Sequence, residues 1–133
     1  SAISSHFVID LLKSFSKKEI TLHAQSLVDS VPTLSAIAND LGFEEVFAWQ
    51  LKQFASKGDL LIAISSSGNS PNIINAIQCA EELEVTTVSI SGFDGGQSSQ
   101  ISDESFITYS QTKRYGPVED AHSILCHYIA NNL

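Results

Sequence analysis

The sequence predicts an α/β fold, a three-layer α/β/α arrangement in which helices cover both faces of a mainly parallel sheet. Two observations predict it. Blocks with the apolar spacing of helices alternate along the chain with blocks typical of strands, the order expected of a parallel sheet. In addition, the apolar run 60–64 ends in a polar loop, and a helix-like pattern follows at once. Parallel sheets bind ligands at the carboxyl ends of their strands, so this loop is the first candidate site.

Five elements are predicted up to that loop. Residues 2–15 have an apolar face at helical spacing, and residues 20–27 alternate weakly, as in a strand. A short helix is predicted over 32–38, because a proline suits its first turn. An amphipathic helix over 44–55 then leads to the apolar strand 60–64.

The elements predicted after the loop alternate in the same way. They are a helix over 71–83, a strand over 85–90, a turn or loop over 92–96, a short helix over 97–101, a strand over 105–109 and a final helix after Pro117.

Length and composition narrow the possible functions. A chain of 133 residues with 43% hydrophobic and 17% charged residues is typical of one globular domain, and we expect residues 1–133 to form it. No apolar run approaches the roughly 20 residues that span a bilayer. The net charge of −8 argues against a nucleic-acid partner. Cys79 and Cys126 lie in apolar surroundings and are interpreted as reduced, buried residues of a cytoplasmic protein.

The loop after the apolar strand suits a phosphate. Four serines can donate hydroxyl groups, and Gly68 lets the backbone approach a ligand; the serines are Ser65, Ser66, Ser67 and Ser70. The helix that follows adds backbone N–H groups and a partial positive charge. Because the loop contains neither lysine nor arginine, it would bind a small phosphorylated metabolite through neutral donors. The alternative is an ordinary capped turn.

Two terminal helices each offer one imidazole and one carboxylate. His6 and Asp10 are four residues apart and share a helix face. Glu119 and His127 are eight apart, about 80° around the last helix. These groups could form a metal site or an acid–base pair. Alternatively, each pair is a solvated surface pair.

Two further polar pairs have alternative interpretations. Asn39 and Asp40 at a helix end are either a helix stop or polar arms that hold sugar hydroxyls. Lys113 and Arg114 are either surface charges or part of a loop that closes over a ligand.

In these motifs the chain resembles the sugar isomerase (SIS) domain family, and within it the phosphoheptose isomerases. The resemblance runs from residue 6 to the C-terminus. Its strongest match is SSSGNSPN at 65–72, followed by SGFDGG at 91–96. HFVIDL at 6–11, ANDLGF at 38–43 and VEDAH at 118–122 complete it in the expected order.

The resemblance assigns roles to individual residues. It implies that Ser65, Ser66, Ser67 and Ser70 hold the substrate phosphate, and that Asn39, Asp40 and Glu119 also bind substrate. It implies that Asp10 and His127 are catalytic and exchange protons with the substrate. In some family members a zinc ion is bound, one per site, and the matching ligands are His6, Asp10, Glu119 and His127. No organic cofactor is implied. The family commonly has glutamate at the position of Asp10 and glutamine at that of Glu119.

The implied fold is the flavodoxin-like SIS fold, and the implied reaction interconverts sedoheptulose 7-phosphate and a heptose 7-phosphate through an enediol. A non-catalytic phosphosugar sensor or scaffold, and an isomerase of another phosphosugar such as a hexose phosphate, are the alternatives. The resemblance also implies a homo-oligomer, a dimer or tetramer. SIS domains carry an N-terminal helix and a first strand with a GNGGS-like loop, and this sequence begins after that loop. We therefore expect an N-terminally incomplete domain, or a partner chain that supplies these elements.

Overall fold

The computed structural model describes residues 2–111 and 114–133. Six α-helices and three strands follow one another within these described ranges. They are α1 (Ala2–Ser16), α2 (Val31–Asp40), α3 (Ala48–Phe54), β1 (Leu60–Ser65), α4 (Pro71–Glu82), β2 (Thr86–Phe93), α5 (Ser98–Ile101), β3 (Glu104–Tyr109) and α6 (Tyr115–Asn132).

The three strands form one parallel sheet in the order β1-β2-β3. Ser65 at the end of β1 is in register with Ser91 of β2, and Gly92 is in register with Thr108 of β3. Because the strands are parallel, all three carboxyl ends lie at the same edge of the sheet, next to the serines of the loop.

Helices cover both faces of the sheet. Ile62 and Ile64 of β1 pack on one face in a cluster with side chains of α1 and α6. Leu61 points to the other face and packs against a cluster built mainly from α3 and α4. This division follows from the period-two alternation of a strand buried on both faces. The predicted three-layer architecture with a parallel sheet is confirmed.

The strand predicted over 20–27 is wrong. Residues 20–26 contain neither helix nor strand. Side chains of other elements satisfy part of this segment, as in the hydrogen bonds from Gln50 Nε2 to the Leu27 carbonyl (3.0 Å) and from the Ser26 hydroxyl to that of Ser4 (3.0 Å). The weak alternation does not lead to a strand here, because none of the strands in the described ranges pairs with this segment.

The helix predicted over 44–55 is also only partly correct, because the structure has a 3₁₀ turn at Phe43–Glu45 followed by the separate helix α3. Side chains, one from α4 and one from α3 itself, occupy carbonyls that a continuous helix would use. Asn75 Nδ2 donates to the Glu44 carbonyl (3.3 Å), and Gln50 Nε2 donates to that of Val46 (2.7 Å). Tertiary hydrogen bonds thus replace part of the helical ladder that the apolar spacing predicts.

Both cysteines are free and buried, as predicted. Burial raises the pKa of the Cys126 thiol to about 11 and also raises that of Cys79, so neither is a reactive thiolate. Among the described helices, none combines the length and apolar character needed to cross a membrane.

Candidate active site

The serine loop, defined here as residues 65–70, connects β1 to α4. The Ser65 hydroxyl accepts a hydrogen bond from the Gly68 N–H (3.2 Å) and donates to the Ser70 hydroxyl (3.4 Å). Ser70 is the N-cap residue of α4, yet its side chain makes no capping bond to the helix. The predicted strand–loop–helix junction is present, and the Ser70 O–H is left to donate elsewhere.

Four consecutive carbonyl groups of the loop accept hydrogen bonds from protein donors. The Ser65 carbonyl accepts from the Gly68 N–H (3.1 Å), and that of Ser66 accepts from the Gly92 N–H (3.1 Å). The Ser67 carbonyl accepts from Asn69 Nδ2 (3.0 Å), and that of Gly68 accepts from the Ser98 N–H (2.8 Å). These oxygens carry the partial negative charge of the backbone, and every one of them is neutralised by a donor.

Several backbone groups of this region that lack a protein partner are hydrogen-bond donors. Among the described residues, the N–H groups of Ser67, Ser70 and Asn72 have no protein acceptor. They lie at or just before the start of α4, which has 12 residues and whose macrodipole is positive at this end. A loop with four carbonyls occupied and several N–H groups unpaired can bind an anion but offers little to a cation.

Glycines of the segment 92–96, which we call the glycine loop, hold the serine loop in place. A β carbon on Gly68 would lie 1.9 Å from the Gly95 carbonyl oxygen, and one on Gly96 would lie 2.4 Å from that of Ser67. Both glycines have positive φ angles, of 63° and 59°. The two loops therefore pack backbone against backbone, which only glycine permits at these positions.

The second group of predicted residues forms a cluster between α1 and α6. Asp10 Oδ2 lies 3.2 Å from His6 Nε2 and 3.7 Å from His127 Nε2. The two imidazole rings meet edge to face with centroids 5.0 Å apart. We call His6, Asp10 and His127 the imidazole–carboxylate cluster. Its side chains are partly exposed, so a ligand can reach them.

Core packing brings these three residues together. Phe7 and Cys126 are buried and belong to one apolar cluster with Ile90 of the sheet. His6 precedes Phe7 and His127 follows Cys126, so the packing of α1 against α6 places both imidazoles at the seam. One helical turn after His6, Asp10 reaches both rings even though its side chain is shorter than glutamate.

The side chains of the cluster are of the types that ligate zinc. Three potential ligand atoms lie within 4.8 Å of one another. Ligand atoms about 2.0–2.1 Å from a tetrahedral zinc are about 3.4 Å apart, close to the two measured separations. Three protein ligands with one open position are also the arrangement of catalytic zinc sites.

Glu119 is not part of this cluster. It is exposed and lies two turns before His127 on α6, about 12 Å along the helix axis. Its neighbour Val118 packs against Gly92, because a β carbon on Gly92 would lie 2.3 Å from Val118 Cγ1 and 2.8 Å from the Ser66 carbonyl oxygen. The start of α6 thus packs against Gly92, which bonds to the serine loop through its N–H, whereas His127 lies further along and on the opposite side of the helix.

Asn39 and Asp40 are exposed in the last turn of α2, where Asn39 Nδ2 donates to Asp40 Oδ1 (3.0 Å). They form a joined polar pair at a helix end, apart from the two groups above. Arg114 is exposed just before α6, and Lys113 lies outside the described residues.

Sequence reasoning missed two polar residues that shape the site. Asn69 bridges the serine loop and the residue after the glycine loop, since its Oδ1 accepts from the Gln97 N–H (2.9 Å). His122 is fully buried, and its Nε2 bonds to the Ser91 carbonyl (2.9 Å) at the end of β2. A carbonyl can only accept, so Nε2 carries the proton. Asn69 lies inside the strongest motif, which was the available signal for it.

Comparison with known proteins agrees with the fold and the motifs. The SIS domain family matches residues 1–92. The chain is 38% identical over 129 residues to a phosphoheptose isomerase of Helicobacter pylori, covering 96% of this chain and 66% of the relative. It is 34% identical over 134 residues to one of Aromatoleum aromaticum, covering 100% of this chain and 68% of that relative. The chain therefore spans about two thirds of the length of these curated relatives.

A solved structure is similar over nearly the whole chain. The phosphoheptose isomerase of Neisseria gonorrhoeae superimposes with a TM-score of 0.85 at 30% sequence identity, covering 98% of this chain and 68% of that one. Motifs, fold and relatives agree, and the chain belongs to the SIS domain family and, within it, to the phosphoheptose isomerases.

Proposed function

We propose that this protein is an aldose–ketose isomerase that interconverts sedoheptulose 7-phosphate and a heptose 7-phosphate through an enediol. The observation that carries the proposal is the serine loop, in which the carbonyls of residues 65–68 accept protein hydrogen bonds while the N–H groups of Ser67 and Ser70 have no protein acceptor. The relatives named above, which are phosphoheptose isomerases, favour an enzyme over a non-catalytic binding module.

The serine loop would hold the phosphate at one end of the sugar. Its donors are neutral, and the dipole of α4 adds partial positive charge, so a phosphate monoester is bound without a lysine or arginine. Anchoring one end restricts the motion of the other and converts proton transfer into an oriented step. Asn39, Asp40 and Glu119 would bind hydroxyl groups along the sugar.

The imidazole–carboxylate cluster would carry out the proton transfers. Asp10 takes the proton from the carbon next to the carbonyl, and His127 serves the oxygen or the opposite carbon. His6 contacts Asp10 at 3.2 Å and orients its carboxylate. A zinc ion held by His6, Asp10 and His127 would polarise the carbonyl. Glu119, about 12 Å along α6 from His127, would join these ligands only from another copy of the chain.

We further propose that each site is built from two copies of the chain in a homo-oligomer. Within one chain, the start of α6 packs against Gly92 beside the serine loop, and His127 lies about 13 Å further along on the other side. A second copy can bring the two groups to one cleft. Ile9, Ile124 and Tyr128 expose 46%, 69% and 65% of their surface on the same two helices, as expected of an interface. The free cysteines are consistent with a cytoplasmic location.

The first prediction tests the reaction. The protein is expected to convert sedoheptulose 7-phosphate to a heptose 7-phosphate, and kcat/KM for sedoheptulose without its phosphate is expected to fall at least about 10²-fold, because the anchoring interactions are lost. Product formation followed by chromatography provides the measurement, with fructose 6-phosphate as the control for sugar length. Binding of the phosphosugar with no turnover of any of them would contradict an isomerase.

The second prediction concerns the metal. After removal of metals with a chelator, the protein is expected to rebind about one zinc ion per chain, measured by elemental analysis. Asp10→Asn should weaken zinc binding at least about 10-fold, because one of the three ligands loses its charge. Asp29→Asn, an exposed residue outside the cluster, is the matched control. Equal zinc affinity in both variants would exclude Asp10 as a ligand.

A further inference from the structure

Asn69 of the serine loop makes hydrogen bonds through both ends of its side chain. It is exposed, so burial does not explain it, yet both ends of its side chain are engaged. Nδ2 donates to the Ser67 carbonyl (3.0 Å), and Oδ1 accepts from the Gln97 N–H (2.9 Å). Its own N–H donates to the Ser67 hydroxyl (3.2 Å). A single residue thus connects the serine loop to the residue that follows the glycine loop.

The hydrogen bond to Ser67 has a consequence for ligand binding. The carbonyls of Ser65, Ser66 and Gly68 are occupied by backbone N–H groups, which no side-chain substitution removes. The Ser67 carbonyl is the exception, because a side chain occupies it. If that donor were absent, the Ser67 carbonyl would keep an uncompensated partial negative charge close to a bound anion.

We infer that Asn69 is a positioning residue that makes the serine loop selective for anions. It neutralises the Ser67 carbonyl, which would otherwise carry an uncompensated partial negative charge beside the donors that bind the anion. The inference deepens the proposed function, on which it rests, since it concerns the same phosphate site. Asn69 makes no contact with the reacting atoms in this role. Removal of its side chain should therefore weaken phosphate binding while leaving the acid–base chemistry intact.

The test measures binding of inorganic phosphate to the full chain by ³¹P NMR titration. Asn69→Ala is expected to weaken binding about tenfold, because the hydrogen bonds that fix the Ser67 peptide are removed. Asn131→Ala, at an exposed position in the last turn of α6, is the matched control and should bind phosphate as the wild type does. In the isomerase assay, Asn69→Ala should raise KM about tenfold with kcat changed less than about threefold.

A second variant keeps part of the network. Asn69→Asp retains the oxygen that accepts from the Gln97 N–H but replaces the donor to Ser67 with a charged oxygen. It should remain folded, as judged by circular dichroism and urea unfolding, and bind phosphate more weakly than Asn69→Ala because a like charge is added beside the anion.

The outcomes separate the two proposals. If the wild type binds phosphate and either folded Asn69 variant binds it equally well, the positioning role is overturned while the proposed function stands. If the wild type binds no phosphate, the phosphate site itself is overturned, and the role of Asn69 with it. Weaker binding by both variants, with the Asn131 control unchanged, supports the inference.

Discussion

Replacing His127 with alanine is expected to lower kcat for sedoheptulose 7-phosphate isomerisation by about 10²–10⁴-fold, the contribution of a well-placed general acid or base. The imidazole lies 3.7 Å from Asp10 and is partly exposed, so its removal takes away a proton carrier without opening the core. Asp10→Asn should have a similar effect, because the amide keeps the shape but cannot take a proton. Steady-state kinetics with the phosphosugar measure both.

His23→Ala is the matched control for this prediction. His23 is exposed in the irregular segment before α2, outside both groups of candidate residues. Its substitution should leave kcat within about twofold of the wild type. Full turnover by His127→Ala and Asp10→Asn, in protein that unfolds as the wild type does, would remove the imidazole–carboxylate cluster from the reaction.

Hydrophobic periodicity predicted most of the fold because most elements are buried on a defined face. Strand β1 is a continuous apolar run, and α4 follows it with a proline in the first turn, so local pattern and tertiary environment agree. The failures occur where tertiary hydrogen bonds decide the backbone. The segment 20–26 and the break before α3 are set by side chains such as Gln50, which no periodicity reveals.

The sequence also predicted only part of the candidate site, because long-range packing sets the rest. Spacing along a helix placed His6 and Asp10 on one face, and the structure adds His127 through the packing of α1 against α6. That packing depends on contacts between residues more than 100 positions apart, which a linear pattern does not contain. Glu119 shows the same limit, because its position on the helix is predictable and the side chains that it meets in the fold are not.

The serine loop also depends on contacts that the sequence does not specify directly. Its conformation is fixed by hydrogen bonds from the N–H groups of Gly92 and Ser98 and by the close approach of the glycine loop at Gly68. A glycine-rich turn after a strand predicts flexibility or a tight turn. In the structure the same glycines allow two backbones to touch, so a phosphate site on one loop requires the sequence of another.

This contact predicts a large loss of stability on substitution of Gly68 with alanine. The φ angle of 63° is itself unfavourable for alanine by about 1–2 kcal/mol. The added β carbon would also lie 1.9 Å from the Gly95 carbonyl oxygen, a backbone atom that cannot rotate away. We expect the free energy of unfolding to fall by about 3–4 kcal/mol in total, measured by urea denaturation.

The variant Gly58→Ala separates the cost of the positive φ angle from the cost of the steric contact made by the added β carbon. Gly58 has a φ angle of 92°, but a β carbon there would have no heavy atom within 4 Å. It should therefore show the backbone strain alone and lose only about 1 kcal/mol, partly offset by the reduced freedom of the unfolded chain. If Gly68→Ala were no less stable than Gly58→Ala and bound phosphate as the wild type does, the serine loop and the glycine loop could move apart without loss of stability or binding. The glycine loop would then have no part in shaping the phosphate site.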